Sequence, residues 1–272
     1  MAAPQANLFQ FYHRQRGRGP VVVFLHGFMG CDRDFNGVIG HLQHRYTCLT
    51  VDLPDHGRTQ PRVEGPYTMA AVAASLLDWL AAITPEPCTL VGYSMGGRLA
   101  LYLATLAPHR FSHLVLESAS PGLRTQAERQ ARIALDALRA QQIQQDFEGF
   151  LQRWYQAPMF QNLAQQPKFA ALLQQRQQNH PDRLERSLRC LGTGQQPSLW
   201  PQLPQLPHPT LLITGEQDRK FCALNAEMAA RLPSAHLVTV PGCGHTVHLE
   251  DPESYLAAIA AFLEENSCPK AP

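Results

Sequence analysis

The sequence lacks a charge bias: 23 lysines and arginines face 22 acids, a net charge of +1 over 272 residues. A nucleic-acid partner would want a strong basic excess, so none is expected. Long apolar runs are also missing. None approaches the ~18 to 20 residues that span a bilayer, so no membrane partner is expected either. Met1 to Gly17 has no basic stretch followed by an apolar one and a small-residue cleavage site, so no secretory signal is read there. The seven cysteines (Cys31, Cys48, Cys88, Cys190, Cys222, Cys243 and Cys268) are odd in number, scattered, and form no C-x-x-C pair. That argues against a disulfide scaffold or zinc site and fits reduced thiols packed as small apolar groups in a cytoplasmic protein. The histidines lack ligand-pair spacing apart from His245 and His248, so no metal is implied, and no cofactor. Nothing in the composition bears on oligomeric state; a monomer is the expectation.

What is present is enough apolar material, 44% of residues, to rule out a disordered chain. A chain of this length makes one large domain, or a domain with a sizeable insertion, burying roughly three quarters of its unfolded surface. Short β-rich runs alternate with helical stretches. Strands are expected at Val21 to Leu25, Tyr46 to Val51, Cys88 to Val91, His113 to Leu116, Thr210 to Thr214 and His236 to Val240. Helices are expected at Met69 to Ile83, Met95 to Ala107, Ala223 to Leu232 and Glu253 to Glu264. This alternation predicts an α/β fold with a mostly parallel sheet and helices on both faces.

Residues 121 to 200 break the pattern. They hold 17 of the 25 glutamines and ten basic against six acidic residues, a net +4, while the remainder carries −3. A helical insertion over 121–204 is expected to cap a core made of 1–120 and 205–272, returning through the proline-rich stretch Pro197 to Pro209. Its charge fits either a solvated bundle or a lid that draws an anion into a cleft.

Gly92-Tyr93-Ser94-Met95-Gly96 ends a predicted strand and opens a predicted helix, which is the setting of a G-x-S-x-G nucleophile elbow. The sharp turn leaves the serine hydroxyl proud of the sheet. That hydroxyl is weak until a neighbour takes its proton. Partners in this architecture follow later strands, acid first and histidine second. Asp218 follows Thr210 to Thr214, and His245 follows His236 to Val240. His245 would accept the Ser94 proton, and Asp218 would fix its tautomer. His248 is an alternative base, and Glu117 and Glu216 are alternative acids. The loop His26-Gly27-Phe28 follows the first strand. The N–H groups of Phe28 and Met95 are placed to hold a developing oxyanion, with His26 bracing the loop. Arg98, four residues after Ser94, projects on the same side of its helix. A guanidinium there suits a carboxylate, or else a structural ion pair beneath the elbow. Arg124, Arg129, Arg132 and Arg176 lie in the insertion, with Trp154 and Tyr155 as an aromatic face or as packing.

These features resemble the α/β-hydrolase superfamily, with 121–204 as its cap. The motifs Gly92 to Arg98, Ser120 to Leu123, Glu128 to Arg132, Arg153 to Phe160 and Gly215 to Phe221 are together similar to the MenH-type synthases. The resemblance implies a lyase acting on a small tricarboxylate, 2-succinyl-5-enolpyruvyl-6-hydroxy-3-cyclohexene-1-carboxylate, in menaquinone or phylloquinone biosynthesis. A proton is removed beside a carbonyl and pyruvate is eliminated. The resemblance further implies Ser94 as base, Arg98, Arg132 and Arg176 on the carboxylates, and Tyr93 and Trp154 on the ligand wall. A hydrolase of an acidic ester, thioester or carbon–carbon bond would use the same triad. One departure is visible. Asp55 stands where the Asp-x-Pro-Gly-His-Gly loop typically has glycine; aspartate tolerates left-handed backbone better than most residues, so a local adjustment is expected there and not lost activity.

Overall fold

A computed structural model describes residues 7–267. Met1 to Ala6 and Cys268 to Pro272 lie outside the described residues, and with them the Cys268 thiol and the first part of the segment read for a signal. The chain runs through β1 (Phe9–Gln10), β2 (His13–Arg16), β3 (Val21–Leu25), α1 (Asn36–Leu42), β4 (Thr47–Val51), β5 (Gln60–Pro61), α2 (Met69–Ile83), β6 (Cys88–Tyr93), α3 (Met95–Leu106) and β7 (Phe111–Glu117). Four helices follow with no strand between them: α4 (Gln126–Gln145), α5 (Phe147–Tyr155), α6 (Phe169–Arg176) and α7 (Pro181–Leu191). Then come β8 (Thr210–Gly215), α8 (Arg219–Ala229), β9 (Ala235–Val240), α9 (Val247–Glu250) and α10 (Pro252–Ser267).

Seven strands form one sheet in the order β2-β4-β3-β6-β7-β8-β9. All neighbours are parallel except β2, which runs antiparallel on β4. The central strands are apolar runs because both faces are covered. Alternate side chains go to opposite layers. Val23, Leu25, Leu90, Leu114 and Leu212 pack with Val72, Leu76, Leu99 and Leu103 of α2 and α3. Val22, Phe24, Val91, Val115 and Leu211 pack with Val38, Ile39, Tyr255 and Ile259 of α1 and α10. No helix among the described residues is long and apolar enough to cross a membrane.

Of the differences from the sequence reading, which also omitted β1, α1, β5 and α9, two have a plain physical reason. His13-Arg-Gln-Arg16 has no apolar alternation and is mostly exposed; it is a strand only because its backbone pairs with β4. The helix expected from Ala223 begins at Arg219, because the Asp218 side chain accepts the Phe221 N–H and starts the helix early.

The four inserted helices have their own apolar cluster, built on Ile143, Phe150, Leu151, Phe160, Leu184 and Leu188. Met29, from the loop after β3, belongs to that cluster, so the insertion seats on the carboxyl edge of the sheet. The chain leaves and returns side by side: Leu199 N–H donates to Pro121 O at 2.6 Å, and the Trp200 indole N–H donates to Gly122 O at 2.9 Å.

Asp55 takes a left-handed backbone, with φ 66°. It also does something the sequence did not announce. Its buried carboxylate accepts the Tyr67 hydroxyl at 2.7 Å and pairs with Arg186 of α7. Arg186→Ala strips a buried carboxylate of its cation. We expect a loss of about 2 kcal/mol, below the ~3–5 of a fully buried pair because Arg186 is partly exposed. Urea unfolding measures it.

Candidate active site

The elbow is a short strand-to-helix turn between β6 and α3. Ser94 sits at φ 49° and ψ −106°, a conformation that the surrounding structure must impose. Close packing imposes it: a Cβ on Gly96 would fall 2.1 Å from Leu25 O, so only glycine lets α3 approach β3. The Ser94 N–H donates to Glu117 O at the end of the neighbouring strand (2.9 Å). β8 and β9 bring the other two residues to the same sheet edge. His245 Nδ1–H donates to Asp218 Oδ2 at 2.5 Å, which fixes the tautomer and leaves Nε2 to accept the Ser94 hydroxyl at 3.2 Å. The imidazole and the carboxylate are buried, while Ser94 is half-buried at the cavity wall.

The alternatives weighed from sequence are engaged elsewhere. His248 Nδ1 pairs with Glu117 at 2.8 Å, deep beneath the loop, with Phe35 stacked on its ring. Glu216 accepts the Gly242 N–H.

Phe28 borders the cavity, and its amide donates to no other described residue. Met95 is the first residue of α3, where an N–H has no intrahelical acceptor. The loop carrying Phe28 is braced by two neutral histidines. His26 Nε2 accepts the Leu53 N–H at 2.9 Å, and His56 Nε2 accepts the Met29 N–H at 3.1 Å. Burial lowers His56 from 6.5 to about 3, and burial lowers His26 as well. Between pH ~3 and ~6.5 the unfolded chain therefore binds protons that the folded chain does not. Stability falls as pH drops below about 6.5, by up to roughly 1.4 kcal/mol per pH unit from His56, and His26 acts in the same direction. Comparing urea unfolding at pH 5 and pH 7 tests this, and His56→Gln should flatten the dependence.

The cavity above Ser94 has a volume of about 350 Å³. Its rim carries Arg98, Arg124, Arg132, Arg139, Arg176 and Lys220 against Glu128 and Glu227. These cations are not equivalent. Arg98 is buried and, among the described residues, bonds only neutral acceptors, Leu191 O at 2.8 Å and Gln196 Oε1 at 3.3 Å. Burial, then repulsion from Arg132, lowers it to about 10, which still leaves it charged at neutral pH. Arg132 and Arg139 share a single carboxylate, Asp136. Arg124 pairs with Glu227 and lies over the Trp200 ring, and Arg129 donates to backbone carbonyls.

Arg176, which the resemblance places on a substrate carboxylate, already holds a carboxylate of the protein. It is bound end-on by Asp34, at 2.9 and 2.8 Å, and donates to the Tyr155 hydroxyl. Of its five N–H groups two remain. Asp34 was missed because it lies 142 residues away in sequence. Its burial alone would raise its carboxyl, but Arg176 holds it below the usual range.

Tyr93 and Trp154 both line the cavity. Tyr93 is fixed by a hydroxyl contact to Thr246 at 3.3 Å, and Trp154 stands edge-on to Phe28 at 5.8 Å. Elsewhere Cys31, Asp32 and Asp52 converge within 4.8 Å. Asp32 is taken up by Arg14 and Arg58, and Asp52 by the Asp32 and Arg58 amides, so the cluster is already neutralised.

The sheet, the elbow and the inserted helices define an α/β hydrolase-fold protein, and a model of the α/β hydrolase fold family matches residues 20–252. A Bacillus subtilis (strain 168) protein provisionally named as a 2-succinyl-6-hydroxy-2,4-cyclohexadiene-1-carboxylate synthase is 38% identical over 89% of each chain. The Enterobacter sp. (strain 638) protein named for that synthase is 34% identical, over 90% of this chain and 92% of its own. The structure of MenH from S. aureus superposes with a TM-score of 0.90 at 34% identity, covering 96% of this chain and 99% of that one. The chain belongs to this family of 2-succinyl-6-hydroxy-2,4-cyclohexadiene-1-carboxylate synthases, the MenH family.

Proposed function

We infer that the protein is a carbon–oxygen lyase. It eliminates pyruvate from 2-succinyl-5-enolpyruvyl-6-hydroxy-3-cyclohexene-1-carboxylate, giving 2-succinyl-6-hydroxy-2,4-cyclohexadiene-1-carboxylate in menaquinone or phylloquinone biosynthesis. The observation that carries this reading is Arg98: a buried guanidinium beside a serine–histidine–aspartate chain, hydrogen-bonded to no carboxylate among the described residues. Asp136 attracts Arg98 only from beyond hydrogen-bond reach and is shared with Arg132 and Arg139; a buried charge so weakly paired is costly, and an anionic substrate supplies a direct partner in fork geometry. A neutral ester would not.

In the reaction Ser94 takes the proton beside the succinyl carbonyl and passes its own to His245 Nε2. Asp218 supports the imidazolium that forms. Negative charge moves to the carbonyl oxygen, where the Phe28 and Met95 N–H groups receive it. Expulsion of the enolpyruvyl oxygen completes the diene, and the proton held by His245 returns to the leaving pyruvate. Arg98 and Arg132 bind carboxylates, Arg176 contributes its two remaining N–H groups, and Tyr93 and Trp154 wall the ring. The inserted helices act as the lid that excludes water.

The test is incubation with the enolpyruvyl substrate, following pyruvate with a coupled dehydrogenase. Release well above the spontaneous rate is expected. No release, with rapid cleavage of nitrophenyl esters, would replace the lyase with a serine hydrolase of acidic substrates.

A further inference from the structure

The loop that carries His245 is gripped from both sides. Gly244, His245 and Thr246 present three consecutive amide N–H groups. The outer two go to one carboxylate: Gly244 donates to Glu250 Oε2 at 2.6 Å and Thr246 to Glu250 Oε1 at 3.0 Å. The middle one, that of His245 itself, goes to Met159 O of the inserted segment at 3.0 Å. The Glu250 N–H closes the turn on Thr246 O at 3.0 Å. Glycine at 244 is what allows this double approach. A Cβ there would lie 2.7 Å from Met159 O and 3.3 Å from both carboxylate oxygens.

Glu250 is buried and forms no ion pair among the described residues. Burial pushes its carboxyl up, and the two amides pull it back. A buried carboxylate on neutral partners is a costly anchor for a loop. It is, however, the one side chain of this length that accepts on both oxygens. The His245 ring is also confined. Phe221 lies 4.7 Å from it, Tyr93 5.4 Å and Phe160 5.8 Å between ring centres. With the ring walled in, the backbone position decides where Nε2 points.

We propose that Glu250 is a positioning residue for His245: its carboxylate fixes the backbone on either side of the imidazole, holding Nε2 on Ser94 and Nδ1 on Asp218. Glu250 does not border the cavity and touches no reacting atom. The proposal rests on the triad reading above, so its test separates the two.

Glu250→Gln keeps the size but loses one acceptor. The kcat for pyruvate release should fall by about 10²-fold, the cost of a small misplacement of a reacting group, with KM within about twofold. The downfield proton resonance of the His245 Nδ1–H should shift or broaden. Phosphonylation of Ser94 by a fluorophosphonate should slow by a similar factor. That last reaction needs only the Ser94–His245 pair. A wild type that is phosphonylated but releases no pyruvate therefore defeats the substrate reading while still testing the clamp. Glu250→Asp keeps the charge and one bond, and should recover part of the lost rate. A folded Glu250→Gln variant with wild-type kcat and phosphonylation overturns the proposal, leaving only a stability role. If that variant does not fold, hydrogen exchange on the wild type decides. The Gly244 and Thr246 amides should be protected to the level of the β8 amides, and exchange at free-loop rates overturns the clamp.

Discussion

Replacing Ser94 by alanine should lower kcat for pyruvate release by about 10³-fold or more, the scale on which triads fail when one member is removed. The His245–Asp218 bond does not involve the hydroxyl and should survive. Water-mediated proton transfer to the imidazole then sets the residual rate. Substrate binding should persist, because the guanidinium groups proposed to hold the carboxylates are untouched. A thermal shift with substrate therefore separates the two effects: stabilisation by ligand should be retained while turnover is lost. Loss of both together would place Ser94 in binding and leave the proton without an acceptor.

Arg98→Ala should lower kcat/KM by about 10- to 1000-fold, as loss of a charge-assisted contact worth roughly 1.5 to 3 kcal/mol or more implies. Its stability effect is expected to be small. Among the described residues the side chain bonds only to Leu191 O and Gln196, and alanine removes the burden of a buried charge lying near Arg132. Arg98→Lys should not rescue activity, since an ammonium cannot present the planar fork. Steady-state kinetics with a urea melt of the same preparations checks both halves. Unchanged kinetics would reduce Arg98 to a strut between the nucleophile helix and the inserted segment.

Much of this was legible in one dimension because it is local. The elbow needs small residues within two positions of Ser94. Asp218 and His245 each follow an apolar strand directly, and Arg98 lies one helical turn from Ser94. The parallel sheet was readable because strands buried on both faces are continuous apolar runs. What stayed hidden is long-range or backbone-driven. Asp34 neutralises Arg176 across 142 residues, and Glu117 takes up His248 across 131. No periodicity links such partners. The resemblance put three arginines on substrate carboxylates; among the described residues one of them bonds no carboxylate, one shares Asp136, and one is paired with Asp34. The edge strand His13–Arg16 is set by its neighbour's hydrogen bonds and not by its side chains. Asp55 was expected to adjust a turn, and its pairing with Arg186 depends on a helix that the local sequence cannot place.

The proposed mechanism requires Ser94 to carry a proton and never an acyl group. Intact-protein mass spectrometry of enzyme quenched during turnover of the enolpyruvyl substrate reads this directly. The unmodified mass alone, at every time point while pyruvate accumulates, is the predicted result. A substrate-derived adduct that maps to the Ser94 peptide, and forms and decays at the turnover rate, would contradict it.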